Sequence, residues 1–185
     1  MNDRPSLPTP QAMQGNSERY GALLQVVEAI ASHADLQGLV QDLARLLPLL
    51  VPVNFVGLSL YDAQRDMMRL HVLRANVPAD IIGGQESHPA DTPAGLVWQT
   101  QQPVILSDLA EEHRWPKLIA LMREDAVQSC CLVPLTSAVR QLGALAFSSL
   151  EKDAYRVSDL ELMQQIGRQV AVAVENVLNR EAAAA

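Results

Sequence analysis

Lysine, aromatic residues and cysteine are all scarce in this sequence, and each shortage excludes a class of protein. Lys117 and Lys152 are the only lysines, and Lys and Arg together number 14 against 21 Asp and Glu, a formal charge of -7. A basic surface that tracks a phosphate backbone is therefore missing, and we expect no direct binding to nucleic acid. Aromatic residues make up 4% of the chain, so aliphatic side chains must build the core.

The two cysteines, Cys130 and Cys131, are adjacent. A disulfide between neighbours needs strained geometry and closes no useful loop, so a reducing, cytoplasmic setting is expected. The sequence also lacks an apolar run of the roughly 18 residues that a membrane span needs, and its amino-terminal residues lack the pattern of a signal peptide. We therefore expect no membrane partner.

Hydrophobic residues make up 49% of the chain and charged residues 19%, which is a globular composition rather than a disordered one. Residues 1–17 combine proline and polar residues without apolar periodicity, and they predict a flexible leader. Residues 18–181 are expected to form a single domain, and residues 182–185 a short tail. A chain of this length can bury one ordinary core without metal or disulfide support.

Helical spacing of apolar residues predicts a first helix over residues 20–31 and a second over residues 36–50. Asp35 is placed to cap the second helix by accepting a hydrogen bond from a first-turn amide, and Pro48 and Pro52 are expected to end or bend it.

Alternating apolar residues then predict strands. Residues 55–61 and 68–75 are expected to pair as a hairpin, residues 103–106 to form a short strand, and residues 128–135 and 141–149 to form a second hairpin. Between them, Thr92 with Pro93 predicts the start of a short helix, and a second short helix follows Pro116. The rest of residues 76–103 is expected to be irregular.

A long last helix is predicted from a capping box of Ser158 and Glu161 to about Arg180. Its apolar stripe is wider than one sheet face can cover. We therefore expect a homodimer that forms through the first and last helices.

This order of elements resembles that of a GAF domain. Four short sequence motifs also resemble motifs of that family. They are FVGLSLYD at residues 55–62, GLVWQTQQPVILSD at 95–108, CLVPL at 131–135 and LGALAFS at 142–148, with the closing helix after Ser158. Within that family, the sequence resembles the amino-terminal sensory GAF domain of bacterial enhancer-binding transcription activators of the formate-hydrogenlyase-activator type. The resemblance implies an α+β, PAS-like fold, in which a central antiparallel sheet of about six strands carries the terminal helices on one face. On the other face, short helices and loops roof a ligand pocket.

The strand patterns agree with such a pocket. Val56, Leu58 and Leu60 form an apolar face of the first strand, whereas the opposite face carries small or polar side chains. A face lined by small side chains leaves space beneath a lid, where a ligand could bind. The expected ligand-binding residues are Ser59, Tyr61, His71, Trp98, Cys131 and Ser148.

Several alternatives stay open from the residues alone. The lid side chains Leu96, Trp98, Leu118 and Met122 could instead fill the space, because protein interiors normally pack without large voids. His71 could be an ordinary strand histidine, and either cysteine a buried apolar filler. Arg69 and Arg74 lie on opposite faces of one strand, so only one of them can point inward and bind a carboxylate.

Chemistry other than binding has little support in the sequence. No nucleophile, base and orienting residue are discernible together, and the histidines have no metal-ligand spacing, so neither an enzyme nor a metal site is expected. No particular cofactor is indicated. The expected function is that of a regulatory domain which senses a small metabolite, such as a carboxylate, and relays its occupancy through the terminal helices. The alternative is a ligand-free module for dimerisation.

Overall fold

The computed structural model describes residues 21, 24–28, 33, 35–75 and 82–184, which form an antiparallel sheet with helices on both faces. Its strands, in chain order, are β1 (Phe55–Asp62), β2 (Met67–Arg74), β3 (Ile82–Ser87), β4 (Val104–Leu106), β5 (Ser129–Thr136) and β6 (Gln141–Ser149). They lie side by side in the order β3-β2-β1-β6-β5-β4. The helices are α1 (Leu36–Leu46), α2 (Pro93–Thr100), α3 (Pro116–Glu124) and α4 (Leu160–Ala184). The six-stranded α+β architecture predicted from the sequence is confirmed.

The strand register defines two faces of the sheet. Directly paired residues of antiparallel strands point to the same side, and Leu58 pairs with Leu145 while the next residue, Ser59, pairs with Ala144. We call the side of Leu58 the helix face and the side of Ser59 the lid face. Helices α1 and α4 pack on the helix face, and α2 and α3 lie over the lid face.

The helix face carries the larger core. Val56, Leu58, Leu145 and Phe147 are completely buried there beneath α1 and α4. Helix α4 approaches β5 so closely that a Cβ atom on Gly167 would lie 2.9 Å from the Val133 Cγ2 atom. Any larger residue at position 167 would force the helix and the strand apart.

Two of the predicted helix caps are confirmed. The Asp35 carboxylate accepts a hydrogen bond of 2.8 Å from the Gly38 amide at the start of α1. The Thr92 hydroxyl accepts one of 3.0 Å from the Gly95 amide at the start of α2, where Pro93 is the first helical residue. Helix α1 ends at Leu46 in a 3₁₀ turn that contains Pro48, as expected.

Other predictions need correction. The last helix begins in a 3₁₀ turn over Val157–Asp159, where the backbone amide of Arg156 donates to Asp159 Oδ2 at 2.9 Å, rather than in the expected box of Ser158 and Glu161. This helix continues to Ala184. Strand β3 lies in a segment for which the sequence predicted no strand.

The first predicted helix is described only in part. Residues 24–28 are helical, and Val26 is buried in the core of the helix face. The predicted leader, residues 1–17, lies outside the described residues. None of the helices in the described ranges combines the length and apolar character that a membrane crossing requires.

Candidate functional site

At the centre of the lid face, the two inner strands carry small residues between larger apolar ones. Gly57 of β1 pairs with Val72 of β2 on one side and with Ala146 of β6 on the other, and Leu132 of β5 pairs with Ala146. We call these four residues the central row. The next row along the same face includes Ser59 and Ala144, which are also small.

The central row is not sealed by the lid. Val72 and Ala146 stay partly exposed, although on the helix face of the same sheet Val56 and Phe147 are completely buried. A Cβ atom placed on Gly57 would have as its three nearest neighbours the side chains of Ala146, Leu70 and Val72, at 3.3, 3.7 and 3.9 Å. All three belong to the sheet, so no lid side chain approaches Gly57 more closely. Gly57 and Leu132 are nevertheless buried, and we interpret the looser packing over Gly57 as space beneath the lid.

The lid is nevertheless packed on both sides of this space. Buried residues such as Val97 of α2 and Ile119 of α3 form one apolar cluster with the lid face of the sheet. Leu96, Leu118 and Met122 pack against the same cluster and stay partly exposed. Trp98, the fourth side chain of the filled-core alternative, packs against this cluster too, as do Val72 and Ala146 of the central row, so the lid fills much of this face.

Tyr61 and Trp98, both predicted site residues, are brought together. Their rings stack with centroids 3.8 Å apart and planes 26° apart, which joins α2 to β1. The Trp98 indole Nε1 donates to the Gln141 carbonyl at 3.3 Å. The Tyr61 hydroxyl donates to Asp66 Oδ1 at 2.9 Å, and this hydrogen bond raises the pKa of the Tyr61 phenol. The stack forms one wall of the lid.

Ser59 and Ser148 lie on the lid face, as predicted, and both are buried. Ser59 stands next to the central row and pairs with Ala144. Ser148 pairs with Phe55 of β1, and Phe55 pairs in turn with Arg74 of β2. These hydroxyls are the polar groups that the central strand pair offers to the lid side.

His71 and Cys131 are on the other face, which corrects their prediction as pocket residues. His71 pairs with Leu58 and Cys131 pairs with Phe147, and both partners belong to the core of the helix face. Burial, with a smaller contribution from the charge of Arg69, lowers the pKa of His71. The imidazole is therefore kept neutral among α1-side residues rather than presented to a ligand.

The thiols are poor nucleophiles in this environment. Cys130 lies in the lid-face cluster and Cys131 in the helix-face core. Burial raises the pKa of each to about 12, so the reactive thiolate is strongly disfavoured at neutral pH. Within the described residues, no three His, Cys, Asp or Glu side chains are grouped to hold a metal ion.

A cleft lies where α3 begins. It has a volume of about 130 Å³ and is lined by Asp91, Arg114, Trp115, Pro116 and Lys117. The Arg114 guanidinium lies 4.3 Å from the Trp115 ring centroid and pairs with Glu112 at 2.7 Å, which lowers the pKa of Glu112 to about 2. The cleft brings opposite charges together, and the charge of Arg114 is already paired with that of Glu112.

Sequence reasoning placed Ala146 on the face of small residues but did not single out Val72 or Phe55. Counting back along each strand from its hairpin turn would have placed them on the lid face, because the turn fixes which residues pair. The same count identifies Arg74, not Arg69, as the arginine of β2 on that face.

Comparison with known proteins supports one family. Residues 33–175 match the model of the GAF domain. The chain is 24% identical over 169 residues to the formate hydrogenlyase transcriptional activator FhlA of Escherichia coli, covering 87% of this chain and 24% of the activator. It is 22% identical over 187 residues to the DNA-binding transcriptional activator HyfR of the same organism, covering 95% of this chain and 27% of the activator. The chain thus spans about a quarter of the length of these relatives.

Solved structures share the fold at low sequence identity. The GAF domain of an Acinetobacter phosphoenolpyruvate-protein phosphotransferase superposes with a TM-score of 0.70 at 15% identity, over 87% of this chain and 95% of that domain. The free methionine-R-sulfoxide reductase of Neisseria meningitidis superposes with a TM-score of 0.69 at 16% identity, over 95% and 96% of the two chains. The fold is therefore shared by a domain of a phosphotransferase and by a methionine sulfoxide reductase.

Proposed function

Since the chain belongs to the GAF domain family, we propose that it is a regulatory domain that senses a small metabolite and acts within a transcription regulator or signalling protein. The similarity to two bacterial transcriptional activators supports the regulatory setting. The chain covers a quarter of those proteins, so the proposal concerns the sensing step and not the remainder of an activator.

One observation carries the proposal. At the centre of the lid face the inner strands β1 and β6 carry only Gly57 and Ala146, and Val72 and Ala146 stay partly exposed, whereas Val56 and Phe147 on the opposite face are completely buried. Interiors normally pack to high density, so a space at this position favours an occupant other than the protein's own side chains. Ser59 and Ser148 supply hydroxyls beside it, and the Tyr61–Trp98 stack supplies an aromatic wall. A small metabolite such as a carboxylate fits this lining.

Occupancy would reach the helix face through β5. Leu132 ends the central row on the lid face, and its neighbour Val133 contacts α4 at Gly167. Near its other end, α4 is tied to the segment before α1, because Arg180 donates to the carbonyl of His33 at 3.2 Å. A ligand changes the position of α4 only if it binds two arrangements of the domain with different affinity. Helix α4 is thus the proposed output element.

We also propose that the domain is cytoplasmic, acts without enzymatic turnover and forms a homodimer through its first and last helices. The disfavoured thiolates argue against thiol chemistry, and free cysteines suit a reducing compartment. The apolar stripe of α4 cannot by itself form the dimer interface, because most of that stripe is already buried against the rest of the chain. Among its described large apolar residues only Val172 is strongly exposed.

Native mass spectrometry of the purified protein tests the sensing proposal. We expect a bound small molecule of less than a few hundred daltons, which leaves on denaturation and raises the melting temperature when added back. An apo mass under gentle conditions, together with no stabilisation by any compound of a metabolite library, would reject the proposal.

A ligand-free dimerisation module is the second candidate. The buried cluster on the flanks of the lid face favours it, because that packing already stabilises the lid without a guest. This candidate predicts that variants which fill the central space leave every function of the domain intact. The sensing proposal predicts that the same variants abolish ligand binding.

A further inference from the structure

Arg74 is the charged residue that the fold brings to the lid face. It is the last residue of β2 and pairs with Phe55, two positions along the strand from Val72 of the central row. Its guanidinium carbon lies 5.7 Å from the centroid of the Phe55 ring, and its side chain is exposed. The aromatic face supports the flat guanidinium, and its N–H groups make no hydrogen bond to another residue within the described ranges.

The other described cations near this region are engaged elsewhere. Arg69 lies on the helix face of β2 and pairs with Glu86 at 2.8 Å. Arg123 of α3 donates to the carbonyls of Leu109 and Ala110, at 2.7 and 3.0 Å. Arg74 therefore differs from its neighbours in pointing along the lid face with an aromatic ring as its contact.

Among the strand residues that the structure describes, the lid face carries no negative charge to oppose Arg74. Apart from Arg74, the paired positions on this face of the described strands are apolar, glycine, serine, glutamine, Thr136 or Tyr61, and none is Asp or Glu. A single cation beside an apolar, hydroxyl-lined space favours a guest that has one anionic end and an apolar body. It disfavours a second anionic group, which would have to lie on the apolar central row.

We propose that Arg74 determines the charge of the ligand, which is a short aliphatic monocarboxylic acid held by a bidentate pair between its carboxylate and the Arg74 guanidinium. The apolar body lies over Val72, Gly57 and Ala146. Because residues two apart on a strand are roughly 7 Å apart, a body of about four to six carbon atoms reaches from Arg74 across the central row. This inference rests on the proposed function, since it names the ligand class of the same site.

Titration calorimetry with the sodium salts of butyrate, pentanoate and 4-methylpentanoate tests the proposal, with the primary amide of each acid as its uncharged counterpart. The proteins compared are the unmodified chain, Arg74→Gln, Arg74→Lys and Arg69→Gln. Arg69→Gln is the matched control, because it removes an exposed arginine from the same strand on the opposite face. Circular dichroism establishes that each variant is folded.

We expect at least one acid to bind the unmodified chain and the Arg69→Gln variant alike. In Arg74→Gln the affinity for that acid should fall by about ten- to hundredfold, the range for loss of a charge-assisted hydrogen-bonded pair. Arg74→Lys should recover part of the loss, and the amide should bind all four proteins with the same weak affinity.

Two results would overturn the assignment of Arg74. One is equal binding of acid and amide that Arg74→Gln leaves unchanged, and the other is no binding of any acid by the unmodified chain. Neither result removes the proposed function, which is judged by the molecule that co-purifies with the protein. A co-purified ligand without an acid group would reject the role of Arg74 and leave the sensing proposal standing.

Discussion

Replacing either of two alanines of β6 by leucine measures whether the lid face is open at its centre. Ala144 and Ala146 both point to the lid face, two residues apart. Ala144 is completely buried, whereas Ala146 in the central row is partly exposed. The two substitutions add the same three carbon atoms to two environments that differ in free space.

The expected free energies of unfolding have opposite signs. Overpacking at Ala144 should destabilise the fold by about 1–3 kcal/mol, since the surrounding side chains must shift. At Ala146 the added carbons enter free space, and burying half of them at about 0.8 kcal/mol per methylene should stabilise the fold by about 1 kcal/mol. The two variants should therefore differ by about 2–4 kcal/mol.

Urea unfolding followed by circular dichroism, at constant protein concentration, gives both free energies. Ala146→Leu should raise the urea midpoint and also remove any co-purified small molecule. If Ala146→Leu instead lowers the midpoint as much as Ala144→Leu does, the central row is already filled and the reasoning that leads to a ligand fails.

Three further outcomes are expected. Because burial lowers the pKa of His71, the unfolded chain binds an extra proton as the pH falls below the ordinary histidine value of about 6.5. Stability should therefore decline from pH 7 toward pH 5, and His71→Leu should flatten this part of the urea-midpoint profile; an unchanged slope would show that His71 is not its source. Cys130 and Cys131 should resist a thiol-specific disulfide reagent in the folded protein and react fully in urea, whereas rapid labelling under native conditions would contradict their burial. If the proposed homodimer uses the exposed part of α4, Val172→Glu should shift the mass measured by light scattering from dimer to monomer, and a variant that remains dimeric would place the interface elsewhere.

Local alternation was enough to assign the faces of β1. Ser59 and Tyr61 alternate with the apolar residues of the same strand, and the structure places both on the lid face. The caps of α1 and α2 could also be predicted from the sequence, because a capping side chain and the amide it binds are three residues apart in sequence.

Local sequence patterns do not show the register of the strands or which residues pair across them, and the wrong predictions depended on this information. The residue pattern of β2 is compatible with His71 on either face of the sheet. Only the pairing of His71 with Leu58 shows which face it lies on. Adjacent cysteines carry no alternation signal, so Cys131 could be placed only through its partner Phe147. Strand β3 was missed because its sequence, IGGQES, has two glycines and few apolar residues and gains its structure from the edge of β2.

The contact between Tyr61 and Trp98 gives the protein an optical probe of its own. Emission from an indole depends on what lies against it, so lifting α2 away from β1 would change the signal of Trp98. The second indole, Trp115, is buried on the α3 side and covered by Arg114. Changing Trp115 to phenylalanine would leave Trp98 as the single tryptophan. Its emission, excited selectively at the red edge of the indole absorption, can time the opening of the lid in a stopped-flow instrument without any attached dye.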